Sequence, residues 1–408
     1  MRIGMMTDMY KPHISGVTNY IELNKRAYEA AGHQVFVFTF GDQDYPDDEE
    51  NIIRSPSLPL SYRYGERDFK VGVWYSKEAQ RLLRTMDIIH THHPFISGRL
   101  ALRYAKSRRI PVVFTNHTRI DIYMQVYVPQ LPDAVGRAFL ETYLPNFCQS
   151  CDLVISPSKS LEVFLRQVKV NSPIEVIPNG IDLSPFKGAN NTLRRDAFGF
   201  QDDQILLIYV GRISGEKNLP FLLQAFQGVS QAFDNVRLMV VGDGPDLEGL
   251  QSMVKEMNIE RLVYFTGLVP YKETPDYLKL ADLFVTSSIS EVHPLSVIEA
   301  MASGLPVVGV GEGGVADTVE DGRTGFLSSN EIAGYTAKLV KAIVDENLRL
   351  SMSAEASRAS EKYSIHKTSD LVFSHYLRLL ARSRDNRRGF RAVLARTFTG
   401  LGRRWTTG

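Results

Sequence analysis

Two carboxylates, Glu291 and Glu299, stand eight positions apart in the run Glu291-Val-His-Pro-Leu-Ser-Val-Ile-Glu299-Ala-Met-Ala-Ser-Gly304-Leu-Pro306. Pro294 suits the first turn of a helix, Gly304 the left-handed position just past its end, and Leu295, Ile298 and Met301 give it an apolar side. The spacing predicts a helix whose N-terminus faces the same space as Glu291. Unpaired backbone N–H groups and the positive end of the helix dipole make such a terminus a phosphate site. Glu299, inside the helix, can accept hydrogen bonds from hydroxyls. Phosphate with hydroxyls describes a nucleotide sugar. A glycosidase pair is the competing use of two acids. If both were helical, a rise of ~1.5 Å per residue would hold their backbones ~12 Å apart, beyond the ~5 Å of retaining and ~6.5–9.5 Å of inverting hydrolases. A bend at Pro294 shortens that distance, so hydrolysis stays open, as does a plain solvated helix with two surface acids.

Other candidates sit where strands end. Val210-Gly211-Arg212-Ile-Ser-Gly-Glu-Lys217-Asn-Leu-Pro220 sets two cations just past a predicted strand and just before a helix, so Arg212 and Lys217 can clamp a diphosphate. Near the start, Gly16 lets backbone approach a phosphate closely, ahead of a helix expected to begin near Thr18. Histidines gather in the first half: His13, His90, His92, His93 and His117. They suit metal, but no Asp or Glu joins them at ligand spacing. His117, in Phe114-Thr-Asn-His-Thr118, directly follows a predicted strand, either as a ligand contact at the sheet edge or as a satisfied structural residue. Val241-Gly242-Asp-Gly244-Pro-Asp-Leu-Glu-Gly249 imitates a dinucleotide fingerprint. Its third glycine comes two positions late and Pro245 blocks the helix entry, so a strand-closing turn is expected. P-loop, zincin and α/β-hydrolase nucleophile motifs are absent.

These residues need elements to hold them. Short β-branched runs alternate with helical patterns, at 2–6, 34–40, 87–90, 111–115, 152–156 and 174–178, then at 204–210, 236–242, 262–266, 282–287 and 306–310. Strand, helix, strand at this spacing predicts an α/β fold with parallel sheets. A chain of 408 residues is too long for one core. Two doubly wound, Rossmann-like domains are expected, at 1–184 and 185–370, followed by a C-terminal segment at 371–408, with the site in the cleft between the domains. Apolar residues make up 44% and charged ones 23% of the chain, as in soluble globular proteins. No run approaches the ~18 apolar residues of a membrane span, and the start lacks the regions of a signal peptide, so a cytoplasmic protein is expected. Cys148 and Cys151 are too few for a four-ligand zinc site and read as ordinary helix cysteines.

The whole chain nets +1, yet residues 371–408 hold nine arginines, no lysine and one acid, Asp385. An acidic body with a basic tail calls for an anionic partner. Phe390, Val393, Leu394, Phe398, Leu401 and Trp405 fall within an arc of about 140° on a helical wheel. A basic amphipathic helix with Trp reads as a membrane-surface anchor. Gly400 and Gly402 weaken it, which leaves a disordered tail drawn to anionic lipid as the other form. Nucleic acid is not expected, since the body is acidic and no binding motif appears. A second basic, aromatic stretch, from Tyr62 to Lys77, reads either as part of the same membrane face or as a solvated helix.

With these positions in hand, the chain up to about Tyr376 resembles the retaining GT-B glycosyltransferases of family 4. The shared motifs, in order, are Thr7-Asp-x-Tyr-x-Pro-x-x-x-Gly16-Val, Asp87-Ile-Ile-His-Thr-His, Asn116-His117-Thr, Ile177-Pro-Asn-Gly-Ile-Asp182, Val210-Gly-Arg212, Glu216-Lys217-Asn, Val241-Gly-Asp-Gly-Pro245, Phe265-Thr-Gly267, and Glu291-x7-Glu299 followed by Ala-x-Ala-x-Gly-x-Pro-Val-Val. The resemblance implies that Arg212 and Lys217 hold the donor diphosphate, with Gly16 lending a backbone N–H from the opposite domain. It implies that Glu299 takes the ribose hydroxyls and that Gly267, Leu268 and Val269 meet the base. Glu291, with backbone at His293, Pro294, Leu295 and Ser296, would hold the sugar and its phosphate, and His117 would touch the sugar. Many relatives have Glu-Gly-Phe where this chain has Glu291-Val-His293, which leaves contacts at 292 and 293 open. No metal and no cofactor beyond the nucleotide-sugar substrate is implied. Within the family the nearest branch resembles diacylglycerol α-glucosyltransferases, through Ser15-Gly-Val17, Asn116-His-Thr with Tyr123, and Asn146-Phe-Cys-Gln-Ser-Cys-Asp-Leu-Val-Ile-Ser-Pro-Ser158. That implies UDP-glucose as donor, a lipid acceptor and peripheral association with the inner face of the plasma membrane. A soluble acceptor or phosphatidylinositol is the alternative.

Overall fold

The computed structural model of the chain describes the backbone of residues 1–13, 15–41, 44–64, 67–119, 121, 133–188 and 193–402, with side chains at 58–64, 67–71, 133 and 384–402 outside that description. The first half contributes β1 (Arg2–Met6), β2 (Gln34–Phe40), β3 (Ile52–Ser55), a hairpin of β4 (Ser57–Tyr64) and β5 (Arg67–Gly72), then β6 (Ile88–Thr91), β7 (Val112–Thr115), β8 (Leu153–Ser156) and β9 (Ile174–Val176). The second contributes β10 (Ile205–Val210), β11 (Val236–Val241), β12 (Val263–Gly267), β13 (Leu283–Thr286), β14 (Val307–Val310) and β15 (Gly325–Ser328). Apart from the hairpin they form two sheets, ordered β3-β2-β1-β6-β7-β8-β9 and β12-β11-β10-β13-β14-β15. Every pairing within the two sheets is parallel.

Strands covered by helices on both faces read as continuous apolar runs. In β10, Leu207 and Tyr209 enter one core while Leu206 and Ile208 enter another, on the opposite face of the same sheet. In the first sheet, Met6 and Met5 divide in the same way. The expected doubly wound α/β pair is therefore the fold. Three features depart from the sequence reading. β3 and β15, four-residue strands at the edges of their sheets, are not anticipated by the sequence. The stretch from Tyr62 to Lys77 is not a helix: it falls in the hairpin, and a helix starts only at Lys77, capped by the Ser76 hydroxyl.

Each sheet has one switch point, beside β1 in the first and beside β10 in the second, where neighbouring strands run off in opposite directions. Ligands of open α/β sheets bind outside the carboxyl ends at such points. The turns leaving β1, β6 and β7 carry Gly16, His92 and His117, and those leaving β10 and β13 carry Arg212, Lys217 and Glu291.

One helix, Ile365–Gly402, runs through the expected boundary at residue 370. Its early turns pack on the first domain, where Val372 and Tyr376 join a core with Ile3, Met5, Tyr20 and Tyr28. Among the described residues no helix is long and apolar enough to cross a membrane. The helix backbone continues through Gly400 to Gly402, while the side chains of the basic amphipathic arc, and Trp405 altogether, lie outside the described residues.

The two passages between domains lie side by side, since Ile181 bridges Ser364 and exchanges backbone hydrogen bonds with Tyr363 and Ile365. Gly180 stands at this crossing. A Cβ there would lie 2.0 Å from Thr368 Oγ1 and 2.7 Å from the Ile365 Cα. The hydroxyl can turn away but the backbone cannot. Gly180→Ala should therefore cost ~1–3 kcal/mol and lower the melting temperature in calorimetry; an unchanged melting temperature would mean that the crossing tolerates a wider spacing.

Candidate active site

Glu291 and Lys217 meet first. Lys217 Nζ lies 2.6 Å from Glu291 Oε1, joining the turn after β10 to the turn after β13. Ser287 Oγ, at the end of β13, lies 2.9 Å from the carbonyl oxygens of both Lys217 and Asn218 and fixes that turn. Burial pulls the Lys217 ammonium down, but the Glu291 carboxylate beside it outweighs burial and holds it above its ordinary range. The predicted helix is present at Leu295–Ala302, with Pro294 as its cap residue and Gly304 left-handed at φ +81°. Glu291 is anchored from behind, its carbonyl accepting the Gly314 N–H at 2.6 Å.

Glu299 is 4% exposed and accepts the Tyr271 hydroxyl at 2.9 Å. Burial lifts its carboxyl from 4.5 to about 7, with the tyrosine bond opposing. Nothing in the sequence announces Tyr271, whose partner lies 28 residues further along.

On the first-domain side, Gly16 is the opening residue of the helix Gly16–Ala30, two positions earlier than expected, because Ser15 rather than a later residue caps it, accepting the Thr18 N–H at 3.2 Å. A Cβ on Gly16 would stand 3.8 Å from Leu295 Cδ1, so the two helix N-termini confront each other across the cleft. His117 Nε2 lies 3.1 Å from His92 Nδ1. His90 sits between the hydroxyls of Tyr376 and Thr115, each at 2.6 Å. The Tyr20 ring meets His117 edge-on at 4.8 Å. Burial, above all, drives His90, His92 and His117 far below the ordinary imidazole range, so all three are neutral. His93 Nδ1 accepts the Asp8 N–H at 3.2 Å, and Asp8 in turn accepts the Ser97 N–H. Among the described residues no group of three or more His, Cys, Asp or Glu is arranged to hold a metal. Cys148 and Cys151 are buried free thiols; Cys148 is helical, Cys151 just past the helix end.

A cavity of about 800 Å³ lies between the domains. Gly16, His117, Arg212, Lys217, Glu291, Leu295, Ser296 and Glu299 all face it. Gly267, Leu268, Val269 and Pro294 do not. Gly267 closes β12 with its carbonyl on the Gly242 N–H, Leu268 is 80% exposed beyond it, and Pro294 is buried beneath the helix it caps. The cavity therefore holds cations and free helix N–H groups on one wall, and on the other neutral imidazoles with an apolar patch of Met9, Phe40, Phe95 and Ile96.

Residues 14–185 match the family model described as Glycosyltransferase Family 4, and residues 190–359 the one described as Glycosyl transferases group 1. Over 359 residues, 85% of this chain and 80% of the other, the sequence is 34% identical to the α-monoglucosyldiacylglycerol synthase of Streptococcus pneumoniae. The chain belongs to glycosyltransferase family 4. It is also 31% identical to the α-monoglucosyldiacylglycerol synthase of Acholeplasma laidlawii over 346 residues, 81% of this chain and 86% of that one. Among solved structures, sucrose-phosphate synthase from Thermosynechococcus elongatus superposes with a TM-score of 0.78 at 21% identity, covering 93% of this chain and 99% of that one. Anabaena HepE in complex with UDP and glucose gives 0.73 at 18%, covering 92% and 99%. The family 4 fold, GT-B, is thus the fold of this glycosyltransferase.

Within this glycosyltransferase the buried Glu299 makes a pH signature. A carboxyl raised on folding binds its proton more tightly in the native state. Stability is then fully present below about 4.5, falls as pH climbs toward about 7, and is flat above. Glu299→Gln, neutral throughout, should melt level with wild type near pH 4.5 and above it at pH 8. A difference that does not vary with pH would show that the carboxyl is well solvated.

Proposed function

We propose that the protein transfers glucose from UDP-glucose to the free hydroxyl of 1,2-diacylglycerol, retaining the anomeric configuration, at the cytoplasmic face of a membrane. The observation that carries the acceptor half is the apolar patch of Met9, Phe40, Phe95 and Ile96 on the first-domain wall, where Phe95 is 44% exposed. A sugar-phosphate acceptor would call for cations there. Two relatives above 30% identity are named α-monoglucosyldiacylglycerol synthases, and HepE holds UDP and glucose in the same fold.

On this reading Arg212 and Lys217 hold the diphosphate together with the N–H groups of Leu295 and Ser296, and Gly16 approaches from the other domain. An ammonium has three hydrogens. One stays on Glu291 and orients the group, leaving two for phosphate oxygens. The second oxygen of Glu291 is then available to a sugar hydroxyl, as is the neutral ring of His117. Glu299 takes the ribose hydroxyls. Negative charge grows on the diphosphate as the glycosidic bond breaks. Donors preorganised around it are commonly the largest catalytic contribution, about 10²–10³ in rate for each. The cations and helix end supply this charge without a metal. The basic tail adds attraction to an anionic bilayer, about 1 kcal/mol for each cation near the surface.

The test incubates purified protein with labelled UDP-glucose, UDP-galactose or GDP-mannose over vesicles containing diacylglycerol or phosphatidylinositol. Glucosyl-diacylglycerol from UDP-glucose is the expected product. Transfer to soluble acceptors with none to lipid overturns the proposal, and transfer to phosphatidylinositol moves it to the other lipid. Removal of residues 385–408 should weaken sedimentation with anionic vesicles; equal sedimentation takes the tail out of the account.

A further inference from the structure

The roles above give the His293 side chain, in the cleft, no work. His293 lies between Glu291 and the Leu295–Ala302 helix, is 8% exposed, and lines the cavity. Its ring packs edge-on against Tyr363, centroids 5.3 Å apart. Nδ1 is sealed from solvent with no hydrogen-bond partner among the described residues. A proton there would make a buried N–H without an acceptor, the rarer and costlier orphan, so the proton belongs on Nε2. Burial first, and the Lys362 charge second, depress the ring to about 3, which keeps it neutral. His293 thus presents a single uncharged donor. Its ring is also near the reacting space: after burial and the neighbouring His93 and His90, His293 is among the groups that depress His117 on the opposite wall.

What surrounds it says what Nε2–H meets. The N–H groups of Val297 and Ile298 bond back to the Pro294 carbonyl, so those of Leu295 and Ser296, one step earlier, have no partner within the helix. Arg212 and Lys217 line the same cavity. A phosphate oxygen can accept from every one of these groups, and the free helix N–H groups of Leu295 and Ser296 are donors of that kind. We propose that His293 donates its Nε2–H to a non-bridging oxygen of the donor's terminal phosphate, the one that departs with the nucleotide. This rests on the donor reading given above. When the bond from the anomeric carbon to the phosphate oxygen breaks, its electron pair stays on that oxygen. The hydrogen bond strengthens as the charge grows, and the proton remains on His293.

His293→Phe keeps a ring against Tyr363 and removes the donor; His293→Gln restores one. Calorimetric titrations with UDP and with UMP separate the phosphate contact from the rest of the nucleotide. His293→Phe should bind UDP about 10- to 100-fold more weakly and UMP as wild type does, with an unchanged melting temperature, and His293→Gln should recover most of the loss. His293→Met repeats the readout should the Phe variant fold poorly. UDP and UMP affinities that fall together, or that both stay at wild-type values, overturn the proposal while leaving the donor reading intact. Wild-type protein that binds neither UDP, GDP nor ADP overturns both.

Discussion

Two parallel sheets that meet at their carboxyl edges act as one site only if something fixes the distance between them. Here the chain ties itself. It leaves the first domain once, at Gly180 and Ile181, and returns beside that same point at Ser364 and Ile365. The returning helix buries Val372 and Tyr376 in the first domain. Full burial of one such side chain contributes roughly 1.5–3 kcal/mol, so several turns of it make a permanent attachment. The domains also meet elsewhere: Val292 joins the apolar core of the first domain, and the Ser160 N–H donates to the Asp317 carboxylate at 2.7 Å. The crossing and these contacts together fix the width of the cleft.

The electrostatics of the cleft follow from that geometry. A charge taken out of water is expensive unless it is paired. Lys217 and Glu291 settle this by pairing with each other. The first-domain wall settles it by staying neutral. His90, His92 and His117 are bound to one another's neighbourhood through Tyr376, Thr115 and each other, and none carries a proton in excess. The charged groups Arg212, Lys217, Glu291 and Glu299 are thereby gathered on one wall, next to a helix N-terminus.

Much of this was legible in the residues. The long inner strands were, because Val, Ile and Leu in runs bounded by glycine leave few other options, and β1 and β2 begin and end where the pattern places them. The turn after β10 was legible too, since Gly211, Arg212 and Lys217 follow directly on that strand. Glycines and cations at a strand end need no knowledge of tertiary contacts. What escaped depends on partners far apart in the chain. Glu299 with Tyr271, His117 with His92 and Tyr376 with His90 are separated by 28, 25 and 286 residues, and no period or spacing links them. The Tyr62 to Lys77 stretch misled because its charges and aromatics fit a helix surface as well as a hairpin, and only pairing between β4 and β5 separates the two.

The returning helix also decides where the basic tail belongs. Tyr376 is fully buried in the first domain, and the arginine-rich part of the same helix begins within two turns of it. At ~1.5 Å per residue the tail therefore leaves the protein from the first domain. The apolar patch of Phe40, Phe95 and Ile96 is on that domain as well. If the tail rests on a bilayer, the body that it holds there is the one whose wall would receive a lipid, while Arg212 and Lys217 lie on the other domain. Opening and closing of the cleft then moves the donor-binding half against water and leaves the lipid-facing half in place. An enzyme arranged the other way would have to detach from its acceptor at each turnover.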